Sequence, residues 1–205
     1  MTNRTIMPSS YEERIEILFD KKERKPNEIR SSLTLLMSEA ERNFTNKPNS
    51  IWSGVMCVMS GIDLVAKFYA DSDISKVGER FENYLINLMG LSPEDAKLVY
   101  HARCAYMHSF SLYSEDYKTN EKYFVHPRFE NWQFIVRKTK CDGKTVHFEL
   151  CIDTLYRTFE ESLERLRENM LTSERKNFSD LFDKYGTDKP LFMGPNFYDY
   201  CNFKK

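Results

Sequence analysis

Apolar side chains recur every three or four residues through most of this chain and switch to every second residue late in it. The first helical run is SSYEERIEILFDKKER, with Ser9 or Ser10 as its cap and Ile15, Leu18 and Phe19 at helical spacing. Pro26 ends it, and NEIRSSLTLLMSEAERNF predicts a second helix whose apolar face carries Ile29, Leu33, Leu36, Met37 and Ala40. Beyond Pro48, Ile51 to Ala70 is apolar on nearly every side, which predicts a helix in the middle of a bundle. Asp71 to Asp73 break the chain. A fourth helix then runs through SKVGERFENYLINLM to Gly90, placed where a left-handed C-cap belongs. Ser92 as cap, Pro93 in the first turn and Asp95 three residues past the cap start a fifth helix. It carries Arg103 and His108 and is expected to fray between Ser109 and Ser114.

The stretch SEDYKTNEKYFVHP reads as a polar loop. Alternation follows: Trp132, Phe134 and Val136 in one run, and Val146, Phe148, Leu150 and Ile152 in the next. Pairing Val136 with Phe148, Phe134 with Leu150 and Trp132 with Ile152 puts the large apolar groups on one face. That register leaves Cys141-Asp142-Gly143 as a three-residue loop. Asp153 caps a long helix with Leu155, Phe159, Leu163 and Leu166 at helical spacing, and a shorter helix ends at Gly186. The expected fold is mainly α: a helical bundle with one β-hairpin packed on it, in a single domain over residues 1–205. N-terminal helices fill 1–48, core helices 49–112, the hairpin 131–152 and C-terminal helices 153–186. An aromatic tail, 187–205, straps the core or meets a partner.

Composition narrows the classes. Of 205 residues, 41% are hydrophobic and 30% charged, enough for a packed core and too many apolar groups for a disordered tail. A formal net charge of -1 makes any RNA contact depend on a local patch. Arg137, Lys138, Lys140 and Lys144 cluster at the hairpin tip, with Lys118, Lys122 and Arg128 as an extension of that rim, although a solvated hairpin end explains the cluster too. The five scattered cysteines suit reduced thiols, and the first residues lack the apolar run of a signal peptide, so a cytoplasmic protein is expected. Ile51 to Ala70 is long enough to raise the question of a membrane span. Ser53, Ser60, Asp63 and Lys67 within it favour a buried helix instead, and no membrane partner is expected.

Glycine-rich phosphate loops, nucleophile elbows and zinc-ribbon spacings are absent from the sequence, and no cofactor or metal is expected. Arg103 and His108 remain: a guanidinium holds a phosphate, and an imidazole exchanges protons near neutrality. Five residues of helix set them about 140° apart, so convergence needs a distorted helix end or a second subunit. His101, Cys104 and His108 share one helix face, a geometry too extended along the axis to favour zinc. His126 and His147 read as surface residues. Asp63, among apolar neighbours, needs a partner if buried; a place at the wet edge of the bundle, a pair with Lys67 one turn on and an ion pair with Arg103 are the alternatives.

The segments GIDLVAKFY and ERFENYLINLMGLSPEDAKLVYHARCAYMHSF resemble a HEPN domain, whose signature is an arginine followed at four to six residues by a histidine. Here the match is RCAYMH, Arg103 to His108, and the similarity extends over roughly residues 50–172. The resemblance implies a homodimer with Arg103 and His108 of both copies in one cleft. It also implies metal-independent endoribonuclease activity in a toxin or phage-defence setting, with a cognate antitoxin or other partner protein. Cys104 stands where many members have a polar residue after the arginine, and Phe110 where some have tyrosine. The family also contains non-catalytic dimerisation and nucleotide- or partner-binding modules.

Overall fold

The computed structural model describes residues 10–20, 30–45, 50–70, 76–129, 133–172 and 192–193. In chain order they form α1 (Tyr11–Phe19), β1 (Arg30–Ser31), α2 (Ser32–Thr45), α3 (Ile51–Tyr69), α4 (Val77–Asn87) and α5 (Pro93–His108). These are followed by β2 (Tyr113–Asp116), β3 (Glu121–Arg128), β4 (Val136–Asp142), β5 (Thr145–Cys151), α6 (Ile152–Thr172) and β6 (Phe192–Met193). The second helix of the C-terminal region, residues 173–186, and nearly all of the tail lie outside the described residues. Within the tail, Phe192–Met193 pairs antiparallel with Arg30–Ser31.

The helices start and stop for local reasons. Ser10 accepts from the backbone of Glu13 at the start of α1, and Ser92 accepts from Asp95 at the start of α5. Gly90 adopts a φ of 75° after α4, the conformation the sequence reserves for it. α3 buries Val55, Val58, Met59, Ile62, Val65, Ala66 and Phe68, and packs against α2, α4, α5 and α6. Its all-round apolarity thus reflects the centre of the fold. Among the described residues α3 is the one helix long and apolar enough to cross a membrane, and half of that window is buried inside the protein.

The bundle-plus-hairpin expectation is overturned. Six helices accompany a four-stranded mixed sheet in the order β2-β3-β5-β4, which makes the described fold mixed α/β. The segment read as a polar loop supplies two of its strands. Tyr123 and Val125 are buried beside exposed Lys122 and His126, an alternation hidden because charged and turn residues surround it. β3 runs parallel to β5, so the chain crosses from β3 to the far edge as β4 and returns as β5.

The hairpin exists, in a different register. Val136 faces Leu150, and Lys138 faces Phe148. An irregularity between Lys138 and Lys140 shifts the pairing, so that Lys140 faces His147 and Asp142 faces Thr145. This leaves Gly143-Lys144 as the turn, with Gly143 at φ 59° in the first central position, where a left-handed backbone is wanted. The expected partner pair Trp132–Ile152 involves a residue outside those described. Val136, Val146, Phe148, Leu150, Tyr123 and Val125 face inward, and α5 lies on this inner face with α3 and α4 behind it. The helix that carries Arg103 is therefore the middle layer.

Candidate functional site

α5 reaches its end at His108, and the chain turns away through Phe110, whose φ is 44°. The Ser111 amide closes this turn by donating to the Ala105 carbonyl at 3.1 Å, as the Leu91 amide does to Leu85 where α4 ends at Gly90. The two helix ends use the same wrap, one on a glycine and one on a phenylalanine. A β-carbon in the left-handed region costs about 1 kcal/mol. Phe110 does not recover that cost by burial, since it is 68% exposed.

Arg103 and His108 meet within one chain. Arg103 Nη1 donates to His108 Nε2 at 2.5 Å. The expected separation around the helix is overcome by the length of the arginine side chain, which folds towards the imidazole at the final residue of the helix. The other edge of the guanidinium faces α3: Nε donates to Asp63 Oδ2 at 2.9 Å, and Nη2 donates to the same oxygen. Arg103 is the partner of Asp63 that the sequence offered beside Lys67. Arg103 is only 8% exposed. Burial works against its charge, but the hydrogen bond and field of Asp63 outweigh that and raise its pKa. Both donors converge on Oδ2, so buried Oδ1 of Asp63 has no hydrogen-bond partner among the described residues.

His108 is exposed and borders a groove of about 650 Å³ between the start of α4, one face of α5 and β2. His101, Cys104 and His108 all line it, as their shared helix face foretells, together with Tyr100, Tyr113 and Tyr117. His101 is occupied structurally. Its ring stacks on Tyr123 at 3.6 Å between centroids, and its Nδ1 lies 3.1 Å from Ser114 Oγ. Burial and the neighbouring Lys97 charge push its pKa down to about 4. Below it, Glu121 accepts from Tyr123 at 2.7 Å and from Lys97 at 3.0 Å, and these bonds bring its carboxyl down to about 2. Burial pushes the Cys104 thiol up, away from the thiolate that would make it a nucleophile.

Sequence reasoning missed several residues of this site. Tyr113, Ser114 and Tyr123 come from the unrecognised strands β2 and β3; the alternation of Tyr123 and Val125 was the available signal. Glu82 of α4 lines the groove as well, and burial raises its carboxyl above the usual range. The basic cluster at the hairpin does not form one patch. Arg137 pairs with Glu149 and Lys138 with Glu94, Lys140 lies 3.4 Å from Asp142, and Lys144 donates to the Thr119 carbonyl. Each of those cations has an oxygen partner within the chain, and Lys138, opposite Phe148, stands on the other side of the sheet from Arg137 and Lys140.

Compared with protein-family models, with curated proteins and with solved structures, the chain shows no significant match. None of these comparisons supports the HEPN resemblance, which rests on the Arg103–His108 motif and its sequence context alone.

Proposed function

We propose that this protein is a metal-independent endoribonuclease in which His108 moves protons and Arg103 carries the charge that builds on the phosphate. The observation that supports this reading is the continuous line from Asp63 through Arg103 to His108, ending at an exposed imidazole beside a groove of nucleotide size. An arginine only donates hydrogen bonds, so the contact leaves His108 Nε2 as an acceptor, the form a general base requires.

In this scheme a phosphate entering the groove takes over Arg103 Nη1, and His108 Nε2 is released to the neighbouring 2′-hydroxyl. The 2′-oxygen attacks phosphorus, its proton passes to Nε2, and the bond from phosphorus to the 5′-oxygen breaks. The departing 5′-oxygen takes a proton from a second imidazole, and a 2′,3′-cyclic phosphate remains. A second copy of the chain supplies that imidazole, and exposed Phe110, Leu112 and Tyr117 next to the site are the apolar surface for it. Asp63 acts as a positioning residue, holding the guanidinium from behind.

One observation favours a second reading. Arg103 is buried and bonded on both sides within the chain, as a structural tie between α3 and α5 would be. The protein is then a non-catalytic module that dimerises or binds a nucleotide or partner through the groove. Labelled RNA incubated with the protein in EDTA separates the two. Cleavage to cyclic phosphate ends by wild type, lost in His108→Ala and in Arg103→Lys, is the expected result. Folded dimers that leave RNA intact would select the second reading.

A further inference from the structure

Among the described residues, the face of the sheet turned away from α5 carries aromatic rings where an outer sheet face is normally polar. One cross-strand row on it runs Tyr113, Phe124, His147, Lys140, each residue directly opposite the next. Ring centroids are 5.0 Å apart from Tyr113 to Phe124 and again from Phe124 to His147, the latter pair nearly parallel. His126 joins from the next row, its ring 5.4 Å from that of His147. The irregularity in β4 is what brings Lys140 opposite His147, a use of strand bulges that re-aims a side chain.

Charge on this face is arranged around the rings. Glu149 accepts from Arg128 on Oε1 and from Arg137 on Oε2, so one carboxylate holds two guanidiniums in place with a net positive charge. Lys122 and Lys140 stand on the same face with Glu115 and Asp142. Cross-strand aromatic pairs stabilise sheets by themselves. A purely structural row, however, has no need of two fixed guanidiniums beside it or of continuity with the groove. Tyr113 belongs to both: it lines the groove beside His108 and begins the row.

We infer that this face is a track for single-stranded RNA, entered from the groove at Tyr113 and running over Phe124 and His147 to Lys140 and the Arg128–Glu149–Arg137 clamp. It rests on the ribonuclease reading for the identity of its ligand. Unpaired bases pack on the aromatic rings and phosphates meet the cations, the combination that single-strand binding uses elsewhere. On this face Lys122, Arg128, Arg137 and Lys140 outnumber Glu115, Asp142 and Glu149 by one, so it stays locally positive although the whole chain carries -1.

The test measures binding in a His108→Ala background, so that nothing is cut, by fluorescence anisotropy of a labelled twelve-nucleotide oligouridine. Phe124→Ala is expected to weaken binding about tenfold, with Phe124→Tyr restoring it, and to leave the weaker binding of a four-nucleotide oligomer unchanged. Lys140→Gln, at an exposed position where folding is not at stake, is expected to lower the slope of log affinity against log salt by about 0.7. Unchanged binding of the long oligomer by both variants overturns the track, as does equal affinity for duplex RNA or no binding at all. Row-dependent binding by a wild-type protein that cleaves nothing would support the track and sink the nuclease reading.

Discussion

Arg103 Nη1 lies 2.5 Å from His108 Nε2, and because a guanidinium has no lone pair to offer, this contact decides where the imidazole proton sits. In the neutral ring it is on Nδ1. The nitrogen aimed at Arg103 is thus the basic one, and it is released only when the guanidinium finds another acceptor.

The tautomer is directly observable. Nitrogen-15 shifts of His108, recorded where the ring is neutral, are expected to show a protonated Nδ1 and an unprotonated Nε2. In Arg103→Lys the preference should collapse towards the mixture of an unconstrained histidine. A wild-type spectrum already showing that mixture would mean the contact does not persist in solution, and the release step would lose its basis.

Asp63 and Arg103 should behave as one unit. Asp63→Ala leaves a guanidinium buried without its counter-charge and is expected to cost roughly 3 kcal/mol in urea unfolding. Adding Arg103→Met removes the stranded charge and should recover a large part of that loss. The coupling energy from the four proteins is expected to exceed 1 kcal/mol. Additive effects would show that the two side chains do not interact.

His101 gives the protein an acid-sensitive window. Its pKa in the folded chain is lowered to about 4 by burial and by Lys97, against 6.5 when exposed. Between those values the unfolded chain binds the proton that the folded chain refuses. Stability contributed by the neutral ring is therefore complete above pH 6.5 and lost as pH falls towards 4. The expected loss is about 2 kcal/mol, allowing for partial solvation. Glu121, also lowered, adds its own loss at still lower pH, from its ordinary value of 4.5 down to about 2. Thermal melts at pH 7 and pH 5 should differ in wild type and converge in His101→Gln; equal pH sensitivity in both would clear His101.

Phe110 should trade stability against association. Phe110→Gly relieves a left-handed backbone at a ring that is 68% exposed, and is expected to raise stability by about 1 kcal/mol. The same change removes apolar surface from the end of the site helix, so sedimentation should show a weaker dimer. Destabilisation instead would mean that the ring packs on something within the chain.

Much of the helical framework was legible because helix signals are local. The caps at Ser10 and Ser92, the stop at Gly90 and the central position of α3 follow from neighbours three or four residues apart. Asp63 was legible as a charge in need of a partner if buried, but a solvated edge position or Lys67 satisfied the sequence as well as Arg103 did. The register of the hairpin was not legible: pairing every large apolar residue ignored the irregularity between Lys138 and Lys140, which the chain uses to turn with two residues at Gly143-Lys144.

The sequence alone determined the six helices of the described residues, which residue types could handle a phosphate and a proton, and that Arg103 and His108 close the same helix. Tertiary structure decided that Glu121–Arg128 is a strand, because its parallel partner, Thr145–Cys151, lies beyond an intervening strand and the local alternation is confined to Tyr123 and Val125. It also decided that Arg103 turns to Asp63 rather than to solvent. That choice depends on α3 and α5 packing side by side, where a buried guanidinium is stable only against a carboxylate.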